Sequence, residues 1–178
     1  MTALTVRLHE AFLASLGDRV LSYSELTRKP LEVDLCASEP LLLRIYLFTL
    51  VGGAGERKRH EYKVVLRVRA QRVGEYGSFD HSGGRFTAIV GYNPDLEVFV
   101  FWDASLHPRF KNGGNLQVRD DVVRAAATRG AAEQIRVLTS GAREVVLACQ
   151  ASEIGRTLEA RIAATGGLAD DECPTFLS

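Results

Sequence analysis

Residues 91–119 read GYNPDLEVFVFWDASLHPRFKNGGNLQVR, an apolar hairpin that runs directly into a basic loop rich in glycine and asparagine. The hairpin is the firmest local feature of the chain. Its arms, Arg85 to Tyr92 and Leu96 to Asp103, are joined by Asn93-Pro94-Asp95, where proline fixes φ and its polar neighbours suit a type I turn. Phe99, Phe101 and Trp102 sit mid-strand and belong to a core rather than to an exposed stacking surface.

Upstream, Glu61 to Arg72 (EYKVVLRVRAQR) alternates strictly. A single strand here would carry Tyr62, Val64, Leu66, Val68 and Ala70 on one face and Lys63, Arg67 and Arg69 on the other. Leu41 to Val51 is apolar on both faces apart from Arg44, as expected of a strand buried on both sides. It leads through Gly52-Gly53-Ala54-Gly55 into the basic loop Arg57-Lys58-Arg59-His60. Leu31 to Leu35 alternates as a further strand, and Tyr23 to Lys29 suits a short helix or a turn before Pro30. Leu4, Leu8, Phe12 and Leu16 recur at helical spacing, which predicts an opening helix with His9 and Glu10 toward solvent. Between Gly74 and Gly84 the chain must turn repeatedly, with Tyr76 and Phe79 as its only large apolar anchors.

Downstream, Asp120 and Asp121 sit where a helix N-terminus favours carboxylates, and Gly130 supplies the stop. Two short strands follow, near Gln134 to Leu138 and Glu144 to Cys149. A last helix, capped by Ser152, carries Ile154, Leu158, Arg161 and Ile162 on one side. The pattern predicts an α+β fold: a curved mixed β-sheet or a small open pseudobarrel with flanking helices. Residues 1–168 form one domain in this reading, and 169–178 a disordered tail.

The totals narrow the function classes. The 178 residues have 46% hydrophobic and 25% charged content, which are those of an ordinary globular protein. The formal net charge is zero, which argues against indiscriminate coating of nucleic acid. Residues 40–119 nevertheless hold 12 Lys plus Arg against 7 Asp plus Glu, a local positive excess. Three unpaired cysteines, Cys36, Cys149 and Cys173, suit free thiols in a reducing cytoplasm. Neither a secretion signal nor a membrane span is expected.

Catalytic patterns are weak. Glu61-Tyr62-Lys63, with Asp34 upstream, fits part of a restriction-nuclease constellation in which acids hold a metal and lysine aids the attacking water. An alternating exposed strand yields the same triplet by chance. Asp103-Ala104-Ser105-Leu106-His107 groups an acid, a hydroxyl and an imidazole, but Ser105 lacks the glycine-flanked elbow of a nucleophile, and helix capping accounts better for Asp103 and Ser105. No metal-ligand spacing and no phosphate-cradling glycine loop is present, so neither catalytic residues nor a metal or other cofactor are expected.

The basic features point to double-stranded DNA as the partner. Arg57, Lys58, Arg59, Lys63, Arg67 and Arg69 suit contacts to phosphates, and Arg109, Lys111, Asn112 and Asn115 suit base edges, with His107 able to reach either. A merely solvated charged face accounts for the same residues.

Glu61-Tyr62-Lys63, the run Ile89 to Asp103, His107, Asn115-Leu116-Gln117-Val118 and Arg143 to Gln150 together resemble the methylase-associated domains of bacterial restriction–modification loci, over about residues 44–162. The resemblance implies a module that sits beside or is fused to methylases and endonucleases and recognises DNA targets without cutting them. By fold analogy it also implies the pseudobarrel DNA-reading domains of some restriction enzymes, which grip the major groove with two strand-loop arms. Arg57 to His60 and His107 to Asn115 would be those arms. The chain is therefore expected to be a cytoplasmic, sequence-specific DNA-binding module of a restriction–modification or defence system. The alternatives are a metal-dependent nuclease using Asp34, Glu61 and Lys63, and a subunit that docks on a nuclease or methylase through its acidic C-terminal helix and apolar strands such as that of Phe99.

Overall fold

A computed structural model describes residues 2–37, 40–52, 60–68 and 72–166. The elements in chain order are α1 (Thr2–Leu16), β1 (Val20–Tyr23), β2 (Leu31–Leu35), β3 (Leu41–Thr49), β4 (Val51–Gly52), β5 (Glu61–Val65), β6 (Tyr76–Gly77), β7 (Phe86–Asn93) and β8 (Val98–Asp103). They continue as β9 (Phe110–Lys111), β10 (Asn115–Arg119), α2 (Asp120–Arg129), β11 (Ala131–Val137), β12 (Arg143–Gln150) and α3 (Ile154–Gly166). Seven strands form one sheet in the order β1-β2-β3-β7-β8-β12-β11. It is mixed because β3 and β7 run parallel while its other neighbours are antiparallel.

The expected α+β class holds, with the open sheet as its form. The sheet is not closed into a barrel. β4, β5 and β10 make a separate three-stranded ladder instead of closing β1 onto β11. That ladder covers one face of the large sheet.

The hairpin β7–β8 lies at the centre, and all six residues of β8 are buried. Phe99 and Phe101 face one apolar layer, where Leu8 and Phe12 of α1 and Ile154 and Leu158 of α3 cover the sheet. Val98, Val100 and Trp102 face the other layer, where Tyr62 and Val64 of β5 meet Val122 and Val123 of α2. The reading of Leu41 to Val51 as a doubly buried strand holds for β3, which lies between β2 and β7. Gly130 ends α2 at φ 93°, its N–H donating to the Ala126 carbonyl.

Several local expectations are corrected. Leu4 is exposed and His9 is fully buried, because the turn after β1 folds over α1 and its Leu26 carbonyl lies 2.7 Å from His9 Nδ1. Tyr23 is instead the last residue of the short edge strand β1, while the turn expected before Pro30 does form, at Leu26-Thr27. The long cationic strand stops early. β5 ends at Val65, opposite Asn115 at the start of β10; Leu66 is still bonded to the backbone of Gly113 and Gly114, and Arg67 follows in a loop. The tail 169–178 and Cys173 lie outside the described residues; Cys36 and Cys149 are free thiols. Among the described residues no helix is long and apolar enough to cross a membrane.

The two layers meet at Gly91 of β7. A Cβ there would lie 2.7 Å from Val64 Cγ1 and 3.2 Å from the Trp102 ring, so the absent side chain is what lets β5 approach the large sheet. Gly91→Ala is expected to destabilise the fold by roughly 1–3 kcal/mol through overpacking. A urea titration unchanged within error would refute the close approach.

Candidate nucleic-acid interface

Three chain segments join beyond the end of β5. The Leu66 N–H donates to the Gly114 carbonyl at 2.8 Å and the Gly113 N–H to the Leu66 carbonyl at 2.7 Å. Asn112, almost fully buried, binds all three. Its side-chain oxygen accepts from the Val68 N–H at 3.1 Å, its N–H donates to the Glu75 carbonyl at 2.7 Å, and its carbonyl accepts from the Gly74 N–H at 2.8 Å. β6 pairs with β9, Tyr76 opposite Lys111. Beneath them Phe79 stacks on Phe110 at 4.4 Å and meets Tyr46 edge-on. Buried, paired backbone groups of this kind hold a loop in one geometry.

Arg67, Arg72, Val73, Tyr76, Arg109 and Lys111 are exposed on this braced tip. The Arg109 guanidinium lies 4.2 Å from the Tyr76 ring centroid, a cation–π contact. Among the described residues of this tip Glu75 is the one carboxylate, and it accepts from the Arg72 N–H.

Beside the tip a polar cleft of about 400 Å³ is lined by His107, Arg109, Asn115, Gln117, Arg136 and Ser140, among others. Two of its lining residues, His107 and Arg136, are held by Glu144, which is fully buried. One carboxylate oxygen lies 2.9 Å from His107 Nε2 and accepts from the Asp103 N–H. The other accepts from Arg136 Nε at 2.6 Å, while Arg136 Nη1 donates to the Gln117 carbonyl. Burial pushes the Glu144 carboxyl up, but His107 and Arg136 outweigh it and hold the group below its usual range. Asp103 in turn pairs with buried Arg161 at 3.0 Å and caps the turn at Ala104–Leu106 by accepting from the Ser105 N–H. The capping expectation for Asp103 therefore holds.

The expected DNA contacts divide accordingly. Arg67, Arg109 and Lys111 meet at the tip, and Asn115 is exposed at the cleft. Asn112 is buried and acts as a brace, because its side-chain oxygen, its N–H and its carbonyl are all engaged by neighbouring backbone groups. His107 is turned toward Glu144. Lys63 lies half-buried in β5, opposite Gln117. Arg57, Lys58, Arg59 and Arg69 lie outside the described residues. The two supposed arms leave from opposite ends of one ladder. Glu61 pairs with Arg119, and Val65 with Asn115, so His60 and the 107–114 loop are separated by roughly 14 Å of strand at the usual rise.

Sequence reasoning missed Val73 and the exposed ring of Tyr76, which it took for an anchor; of Tyr76 and Phe79 only Phe79 anchors. It also missed Glu144, Arg136 and Arg161, whose partners come from distant segments and leave no local signal. Phe99 is fully buried and offers no docking surface. The nuclease constellation does not assemble. Asp34 is held by Ser22 and by Arg85 at 2.7 Å on the large sheet, whereas Glu61 and Lys63 belong to the separate ladder. Among the described residues no three His, Cys, Asp or Glu side chains are grouped to hold a metal.

Fold and site together define an α+β domain with a braced, basic, aromatic-tipped projection. The family model of Methylase-associated X1 matches residues 42–158, and the chain belongs to that family. Its role is linked to restriction–modification systems, and a methylase is a candidate partner. No curated protein and no solved structure matches the chain.

The Glu144 network makes a pH prediction. A carboxyl held low in the folded state adds stability above its unfolded value, near 4.5, and that stability is lost as pH falls through the lower folded value. Glu144→Gln should cost roughly 3 kcal/mol at pH 7, as for breaking a buried ion pair. Denaturant midpoints of the two proteins should converge below pH 4.5; a gap that stays constant into acid would contradict this origin.

Proposed function

We propose that this domain is a DNA-binding module of a restriction–modification system that engages double-stranded DNA through its braced tip. The observation that carries the reading is that Arg67, Arg72, Arg109 and Lys111 are exposed on segments bonded together at the tip, with Glu75 the one carboxylate there among the described residues. Cations so placed neutralise phosphates and release counterions. Rigidity lowers the entropic cost of binding. In this reading Arg67, Arg72 and Lys111 contact phosphates, while Arg109 and Asn115, beside the polar cleft, reach base edges. Lys63 and the basic residues Arg57, Lys58, Arg59 and Arg69 would add phosphate contacts. Asn112 and His107 act indirectly by fixing the loop at its tip and at its root.

A second reading, docking on a methylase, has one specific support. β11 is an edge strand whose Ile135 and Val137 are 46% and 70% exposed, and such edges accept an added strand. The two readings are compatible, since a module can hold its enzyme by an edge and DNA by a tip.

Binding to randomised duplexes over a range of salt tests the primary reading. Arg67→Ala should weaken all duplexes alike and reduce the salt slope by about one. Arg109→Ala should instead flatten the preference among sequences. A wild-type protein with no salt-dependent affinity for duplex DNA would end the proposal.

A further inference from the structure

Tyr76 differs from the other large side chains around the tip. Phe79 and Phe110 are buried in a stack, whereas Tyr76 remains 63% exposed although its backbone is fixed by pairing with Lys111. Val73, 72% exposed, leaves from the same junction, with a methyl carbon 3.2 Å from where a Gly113 side chain would begin. The Arg109 guanidinium covers one face of the Tyr76 ring. A flat ring with one face backed by a cation, on a strand paired at Lys111, offers its remaining face to another flat group beside a phosphate chain.

We infer that Tyr76 is a stacking platform for an unstacked nucleobase, so that the tip favours DNA with an extrahelical base over a perfect duplex. The inference rests on the DNA-binding reading and sharpens it. Inside a regular duplex both faces of every base are covered by neighbours, and only base edges and phosphates are accessible. A base must leave the stack before an aromatic ring can cover its face. Where a bulge has already displaced it, that cost is removed and the stack adds to the phosphate contacts. Arg109 covers one face of the ring and leaves the other to the base. The adjoining polar cleft, with Asn115, Gln117 and Ser140 in its lining, supplies hydrogen-bonding groups on the far side of Arg109.

The test compares fluorescently labelled DNA of one sequence as a perfect duplex and as a duplex with a single-base bulge, using the full chain and its Tyr76→Ala and Tyr76→Phe variants. The wild type should bind the bulged DNA roughly tenfold more tightly, as one aromatic stack allows. Tyr76→Ala should abolish that preference while changing affinity for the perfect duplex less than twofold, and Tyr76→Phe should keep it. Tyr76 is exposed, so neither change threatens the fold. Equal wild-type affinity for the two DNAs, or a preference that survives in Tyr76→Ala, overturns the inference and leaves duplex binding intact. Absence of binding to either DNA overturns the DNA-binding reading and this inference with it.

Discussion

A strand buried on both faces governs this molecule. β8 gives up both backbone edges to β7 and β12 and sends Phe99 and Phe101 to one side and Trp102 to the other, all fully buried. Each such side chain gains roughly 1.5–3 kcal/mol by leaving water, and that gain requires a cover on each face. α1 and α3 supply one cover. The β5–β10 ladder and α2 supply the other, close enough to need glycine at position 91. Once β5 and β10 are laid across the sheet to shield Trp102, the connections beyond Val65 and before Asn115 extend past the covered area. The basic tip is the overhang of a layer whose position is set by the core.

The ends of the central strands carry a second constraint. Asp103 closes β8 and Glu144 lies at the start of β12, both out of water. A buried charge costs several kcal/mol unless it is paired and hydrogen-bonded, so Arg161, Arg136, His107 and the Asp103 amide are drawn around these two carboxylates. His107 opens the loop that becomes the tip. Its contact with Glu144 anchors the root of that loop to the large sheet, as Asn112 anchors the far end to the segment after β5. The same charges that stabilise the strand ends therefore orient the projecting surface.

What could be read from residues alone follows from the range of the forces involved. The hairpin was legible because alternation and turn chemistry at Asn93-Pro94 act within a few residues, and α2 because its acidic start and glycine stop are local too. The length of β5 was not. Alternation continues past Val65, but a strand ends where its partner does, and that depends on β10, some fifty positions away. Polar side chains were hardest. Asn112 resembles a solvent-facing loop amide until Val68, 44 residues distant, presents an unpaired N–H. Arg44, which seemed only to interrupt an apolar run, is a buried tie from β3 to Glu32 and to the carbonyls of Asp80 and Ser82.

The same reasoning revises the charge argument. The excess of cations between residues 40 and 119 overstates the basic surface, because Arg44 and Arg85 are consumed by Glu32, Asp80 and Asp34 and Arg119 is paired with Asp121. Removing these leaves a smaller but more coherent patch at the tip. Its field extends only about 8 Å at physiological ionic strength, so on the proposed DNA-binding reading it would reach a few phosphates and not a long stretch of duplex. A patch of this size cannot hold DNA tightly by charge alone. A methylase bound to the same duplex would raise the effective concentration of the tip at its site and convert a weak contact into a useful one. A small contact surface therefore suits the proposed function of a domain whose family is named as methylase-associated.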